Sequence, residues 1–439
     1  MCAGFLHSLS DQCETADALW AVTCARYSKI YLRISQKPTP ESPDHPPMNK
    51  RDNPYTPGAG RKPRTLAGRD QDIDAFQSLV ERLNAGTYER SLVYTGLRGV
   101  GKTVLLMEFD VLASEAGWAT TDVQEVGSSP DFRVTFARMA HRLLVNMSRR
   151  HRAKQRIERA LAVVKAFSVA IPGGVVGLQL NVEAASGVAD SGDPEQDLAG
   201  LLKEIGEVAQ ANQMGALFLI DEMQNLDGPA LAAICMAFQA ISRDGLPVTM
   251  VGAGLPDLRV RLLSAKPYAD RLFSYAELGR LSGVAARSAL IGPAAAAGVA
   301  YDEATARQIV TESAGFPYFL QEYGRELWNY AESSPIDLSD LDGVRGIVRD
   351  TLARNFFSTR FELATDTEQR YLASMASLGD GPYPVAAVAR AFGVDDQRHA
   401  SVHRESLIQK GLIWSPRRGQ LDFTVPLFAD YLRENATPM

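Results

Sequence analysis

"YTGLRGVGKTVLL", residues 94–106, sets three glycines and a Lys-Thr pair between two apolar runs. The spacing is G-x-x-x-x-G-K-[ST], with Gly96, Gly101, Lys102 and Thr103 in the defining positions and Gly99 as an additional glycine. "SLVYT" before it reads as a short buried strand. "KTVLLMEFDVLASEAGW" after it carries apolar residues three and four apart and reads as a helix ending at Gly117. A strand, a glycine loop and a helix in that order turn backbone N–H groups and the positive helix end toward an anion. Gly96, Leu97, Arg98, Gly99, Val100 and Gly101 are therefore expected to wrap a nucleotide's phosphates. Lys102 would neutralise the β and γ phosphates of ATP, and the Thr103 hydroxyl would ligate Mg²⁺.

Hydrolysis needs a carboxylate for the ion and a base for water, usually at the end of a neighbouring strand. "GALFLIDEMQNLD", residues 215–227, offers both: a continuously apolar run, as a parallel strand covered on both faces requires, followed by Asp221 and Glu222. Asp221 is the expected second holder of Mg²⁺, Glu222 the catalytic base alongside Lys102, and Gln224 a sensor orienting the attacking water. A helix over "PALAAICMAFQAIS" and a strand within "LPVTMVGAGLPDL" (246–258) continue the βα alternation. Thr249 on that strand faces either the site or the core.

The bulk numbers exclude several classes. A chain of 439 residues exceeds one ordinary core, and its 46% hydrophobic and 22% charged residues suit a globular protein. A net charge of −6 excludes a generally basic nucleic-acid coat. The most apolar stretch, 161–180, is interrupted by Lys165, Pro172, Gly173 and Gly174, so no membrane span is expected; it reads as a helix end and a hairpin. Cysteines at 2, 13, 24 and 235 form no C-x-x-C pair, which points to a reducing, cytoplasmic setting. Residues 1–47 run into a segment rich in Pro and charge and are expected to be disordered or dispensable.

On these motifs the chain resembles the AAA+ and STAND P-loop ATPases, particularly those related to the archaeal and bacterial origin-recognition proteins. "TLAGRDQDIDAF" (65–76) is similar to the motif that opens their ATPase domain, which implies Leu66, Gly68 and Arg69 beside adenine. "NPYTPG" upstream would add Tyr55 and Pro57. Read without the family, "GRD" is a helix start capped by Asp70. "TESAGFPYFLQEYGRELW" (311–328) resembles the lid helix of this group, and Gly315 and Pro317 match the STAND pattern in which the proline meets the nucleotide. Phe316, Tyr318 and Phe319 stand where the AAA+ branch would place an arginine, and Ala253 where relatives carry a polar sensor. Arg271 is the candidate arginine sensor, in its own subunit or a neighbour's.

The expected fold is α/β: a P-loop parallel sheet with helices on both faces (48–280), an all-helical lid (281–360) and a C-terminal winged helix (361–439). The last rests on three helices followed by the strand-like runs "IWSPRR" and "LDFTVP". Arg398, His403 and Arg404 near its third helix, with Arg417 and Arg418 at the wing, are the candidate contacts to duplex DNA. "RRHRAKQRIER" (149–159) reads as a solvated helical face. The function expected is a Mg²⁺-dependent ATPase switch whose nucleotide state sets lid and winged-helix position, associated with DNA or self-associating on nucleotide. The alternative is a signalling or scaffold ATPase with little turnover whose winged helix docks an unknown protein.

Overall fold

In the computed structural model the structure describes residues 48–58, 60–127, 131–148, 154–169, 182–393 and 397–435. The expectations for residues 1–47, for a hairpin after residue 169 and for the basic residues 149–153 lie outside them. A six-stranded sheet forms from β1 (Ser91–Thr95), β2 (Ala119–Thr120), β3 (Gln124–Glu125), β4 (Ala216–Asp221), β5 (Val248–Gly254) and β6 (Phe273–Glu277). Its order is β2-β4-β5-β1-β6, β3 also pairs with β4, and every pairing is parallel. The strand bearing Asp221 is thus not the glycine-loop strand's neighbour, as expected from sequence: β5 lies between them.

The apolar run of β4 has two destinations. Ala216, Phe218 and Ile220 enter the core on one side, with α3 (Asp131–Ser148), α4 (Lys154–Val169), α5 (Pro194–Ala211) and α6 (Gly228–Asp244). Leu217 and Leu219 enter the core on the other side, with α1 (Asp70–Asn84) and α2 (Lys102–Glu115). Alternate side chains of a strand point to opposite faces, so a strand buried on both cannot show a polar period.

After β5, α7 (Leu258–Ala265) and α8 (Ala269–Leu272) lead to β6. A helical layer follows: α9 (Gly283–Ala296), α10 (Glu303–Glu312), α11 (Pro317–Tyr330) and α12 (Leu338–Leu352). A π-helical turn, Ala353–Ser358, continues into α13 (Thr359–Phe361). The C-terminal module runs α14 (Asp366–Ala376), β7 (Tyr383–Pro384), α15 (Val385–Ala391), α16 (Gln397–Gln409), β8 (Ile413–Trp414), β9 (Gln420–Phe423) and α17 (Phe428–Asn435). Its strands pair antiparallel in the order β7-β9-β8, so a third strand joins the two read from sequence. One apolar cluster runs from Leu281 through Phe356 and Phe357 to Leu432, so the helical layer and this module share a core.

Six helices begin with a side-chain cap: Asp193, Asp227, Ser282 and Asp302 each accept an N–H of the first turn, and Asp337 and Thr365 build reciprocal capping boxes. The helix after the glycine loop does not. Its N-cap is Gly101, at φ 92°, with no side chain to occupy the first amides. Among the described residues no helix is long and apolar enough to cross a membrane.

Candidate active site

The carboxyl ends of β1, β4 and β5 meet at the glycine loop, where open α/β sheets bind ligands. Gly96 leaves β1 so close to the β6 segment that a Cβ would stand 2.3 Å from the Leu278 carbonyl oxygen. Only glycine fits there. Lys102 is 6% exposed, and its Nζ donates to the carbonyls of Gly96 and Leu97, each at 2.9 Å. Burial lowers its pKa to about 8 against the pull of Glu222 and Asp221.

Thr103 Oγ1 donates to Asp221 Oδ2 at 2.5 Å, bridging α2 and β4 across the gap filled by β5. Asp221 is 2% exposed, and burial raises its pKa although Thr103 and the Glu222 amide donate to it. Hydroxyl and carboxylate are the hard oxygen donors that Mg²⁺ takes. Among the described residues no three His, Cys, Asp or Glu side chains are grouped so as to hold a metal ion.

Glu222 sits in the left-handed region at φ 49°, ψ 38°, a conformation that costs a non-glycine residue about 1 kcal/mol or more and concentrates at active sites. Gln224 Nε2 donates to its carboxylate, while Gln224 Oε1 accepts the Leu255 amide at 3.0 Å. Gln224 thus positions the expected base, tying it to the end of β5. Arg98, in the glycine loop, reaches Glu222 Oε2 at 3.7 Å.

Between loop and helical layer lies a cavity of about 690 Å³. Of the residues singled out in the sequence, Pro57, Leu66, Arg69, Pro317, Glu222 and loop residues 98–103 line it. Asp221 instead faces an adjoining hollow of about 440 Å³, which Thr103 and Glu125 also line.

Several expectations require correction. Tyr55 lies inside the helical layer, 3% exposed, its hydroxyl on the Leu290 carbonyl and on Tyr301 at 3.1 Å; neighbouring Thr56 and Pro57 face the cavity instead. Arg69 is 8% exposed and donates to the carbonyls of Val100 (2.9 Å) and Gly279 (2.8 Å), bracing the loop's far end. Asp70 does not cap α1, whose N-cap is Arg69 without a side-chain bond. Gly68 packs against α9, where a Cβ would meet Ala285 Cβ at 2.6 Å. Arg271 precedes β6, at the amino-terminal edge of the sheet. β6, at ~3.3 Å per residue, puts the strand start that follows Arg271 ~13 Å from the Thr95 end where the loop begins, on the opposite edge from its own subunit's site. Thr249 is buried and shares a 2.9 Å hydrogen bond with Ser91.

Several polar groups escaped the sequence reading, among them Arg61, Asn225 and Gln321 at the larger cavity, together with Glu125, Asn355 and Arg360. Glu125, at the end of a two-residue strand and in register with Asp221, lines both hollows; so short a strand shows no period. Burial, with Glu222 and Asp221 nearby, raises its pKa. Asn355 and Arg360, from the far end of the helical layer, line the larger cavity.

Of the candidate DNA contacts, Arg417 and Arg418 stand exposed in the β8–β9 turn. Arg404 is partly buried 3.7 Å from Glu405, and the His403 ring packs on Phe392 at 5.8 Å. Arg398 lies on α16, and its side chain is outside those described.

Residues 65–251 match a family model described as an AAA ATPase domain, and residues 354–432 one described as a domain of unknown function. No curated relative matches the chain. Solved structures with a similar chain path include the Aeropyrum pernix Orc1 protein in complex with DNA, at 15% identity and TM-score 0.42, covering 85% of this chain and 94% of that one. A Walker-type ATPase of Pyrococcus abyssi matches at 13% identity and TM-score 0.46, covering 84% and 96%. Cdc6p from Pyrobaculum aerophilum matches at 13% and 0.46, covering 89% and 100%. Residues 65–251, with their glycine loop, paired strand-end carboxylates and parallel sheet, match an AAA ATPase domain, so the chain carries a P-loop ATPase domain there.

Proposed function

We propose that the chain is an ATP-driven switch in which the state of the nucleotide is passed from the glycine loop to the C-terminal module. The observation carrying this reading is a direct bond between them: the Arg98 amide donates to the Thr424 carbonyl at 3.1 Å. Gly99, the next loop residue, accepts from the Tyr318 amide at 3.3 Å at the start of α11. Phosphates entering the loop would therefore press on both the helical layer and the module.

ATP would lie in the larger cavity with its base toward Pro57 and Leu66. Lys102 would exchange two neutral carbonyl partners for phosphate oxygens, regaining full charge. Thr103 and Asp221 would hold Mg²⁺, which when bound supplies positive charge against the phosphoryl oxygens. Glu222, held by Gln224, would take a proton from water as its oxygen attacks the γ phosphorus and the bond to the β phosphate breaks, leaving ADP.

The module's helix–strand–helix–helix–strand–strand order, with its antiparallel sheet, supports reading it as a winged helix. The exposed Arg417 and Arg418 then favour duplex DNA over a protein partner.

The test is binding and turnover of radiolabelled ATP by the full chain, with and without mixed-sequence duplex DNA at two salt concentrations. Lys102→Ala should lose binding. Glu222→Gln should keep it while turnover falls by roughly 10²-fold or more. Equal loss of binding in both variants would contradict the assigned roles. DNA stimulation that fades with salt and with Arg417→Ala/Arg418→Ala would establish the DNA reading, whereas turnover indifferent to DNA would move the search to protein partners.

A further inference from the structure

Arg360 lines the cavity near Arg98 and Glu222 from a segment 258 residues beyond Lys102. It follows the π-helical turn Ala353–Ser358, a geometry that is rare in helices and is frequently found at functional positions. That turn has two neighbours. On one side the Phe356 ring stacks on Tyr318 at 4.8 Å, and the Tyr318 amide holds Gly99 of the loop. On the other side Phe357 stacks on Tyr431 at 5.1 Å and Phe428 at 6.0 Å, both in the last helix. The Arg360 guanidinium lies over the Phe356 ring, 4.1 Å from its centroid, and donates to the Phe356 carbonyl. A single turn therefore joins the loop's partner to the C-terminal module, with a cation at the cavity wall.

The surroundings of that cation are unfavourable in one specific way. Burial and then the like charge of Arg98 lower the Arg360 pKa to about 10, against the pull of Tyr318 and Glu222. Arg61, Arg69 and Lys102 add further cations to the cavity lining, and Glu222 and Glu125 are its carboxylates. Like-charged guanidinium groups in a partly buried site cost free energy until an anion comes between them. A triphosphate is an anion of that kind, and its terminal phosphate is the part a diphosphate lacks.

We propose that Arg360 contacts the terminal phosphate of the bound nucleoside triphosphate, and so ties the 353–358 turn and the C-terminal module to triphosphate rather than diphosphate. The inference rests on the reading of this cavity as the ATP site. Arg360 would exchange its bond to the Phe356 carbonyl, internal to the turn, for a charge-assisted one to the nucleotide.

Calorimetric titration of the full chain with ATPγS and with ADP tests this, using wild type, Arg360→Gln and Arg360→Lys, each first checked by thermal melting. Arg360→Gln should bind ATPγS about tenfold or more weakly while ADP affinity stays within about twofold, and Arg360→Lys should recover part of the loss. Trypsin protection of the C-terminal module by ATPγS over ADP should disappear in Arg360→Gln. Equal weakening for both nucleotides, or none for either, overturns the inference: the first makes Arg360 a packing residue and the second an idle one. Wild type that binds neither nucleotide overturns the cavity's reading, whereas tight wild-type binding with Arg360→Gln unchanged removes this inference alone.

Discussion

Lys102 in the glycine loop and Glu368 in the C-terminal module are buried to a similar degree, 6% and 3% exposed, but the protein treats them oppositely. Glu368 is surrounded by donors: Lys410 Nζ at 2.6 Å, the Thr365 amide at 2.7 Å in its capping box, and Ser406. Burial alone would raise its pKa; those donors reverse the effect and take it down to about 2. Lys102 has only carbonyls as direct partners and is pushed toward neutrality, as are Asp221 and Arg360 around it. The charge of Glu368 is completed within the fold, while that of Lys102 is left for a ligand to complete.

The largest effect that would break the contrast is at the module. Lys410→Met strands the Glu368 carboxylate, and removing one partner of a buried pair typically costs 3–5 kcal/mol. Lys410 is itself 31% exposed and Glu368 keeps its Thr365 and Ser406 donors, so about 2 kcal/mol is expected from urea unfolding at neutral pH. A loss under about 0.5 kcal/mol would mean the module's charges are no better satisfied than those of the site.

The same group sets an acid limb. Because the folded-state pKa of Glu368 is depressed, its stabilisation is complete above its ordinary value near 4.5 and is lost as pH falls toward about 2. At 1.36 kcal/mol per pKa unit the whole shift corresponds to about 3 kcal/mol, and with Lys410 partly exposed and solvent-screened a contribution on the order of 1–2 kcal/mol is expected. Urea midpoints between pH 5 and 2.5 should therefore fall more steeply in wild type than in Glu368→Gln. Parallel slopes would show that other carboxylates carry the acid transition.

Most of the sheet and the loop were legible because they rest on local chemistry. A glycine that must approach Leu278, a run apolar on both faces and an acid at a strand end all leave marks within a dozen residues. The misreadings concern direction. Tyr55 occurs in the expected stretch yet turns into the helical core, and Arg69 lines the cavity as read while its guanidinium braces two carbonyls; residue type cannot show which way a side chain points. Arg271 was on a plausible segment at the wrong end of its strand, since polarity along a sheet is a property of topology. Arg360 was invisible for a different reason. Its place at the cavity depends on a π-turn and a shared core that bring the far end of the helical layer back to the loop.

The contrast is sharpened by the smallest effect, a substitution that should stabilise the chain while disabling it. Burial raises the pKa of Asp221, so at neutral pH its ionised form costs the folded state free energy that the unfolded chain does not incur. Asn keeps the shape and an acceptor for Thr103 or the Glu222 amide, and it removes one of the negative charges gathered there with Glu222 and Glu125. Asp221→Asn should therefore gain about 0.5–1 kcal/mol in urea unfolding without nucleotide, and lose Mg²⁺-dependent retention of ATP. The gain should shrink as pH falls and the native carboxyl takes up a proton. A destabilised Asp221→Asn would mean that the bonds from Thr103 and Glu222 outweigh the carboxylate's desolvation, so that this charge is as complete within the fold as that of Glu368.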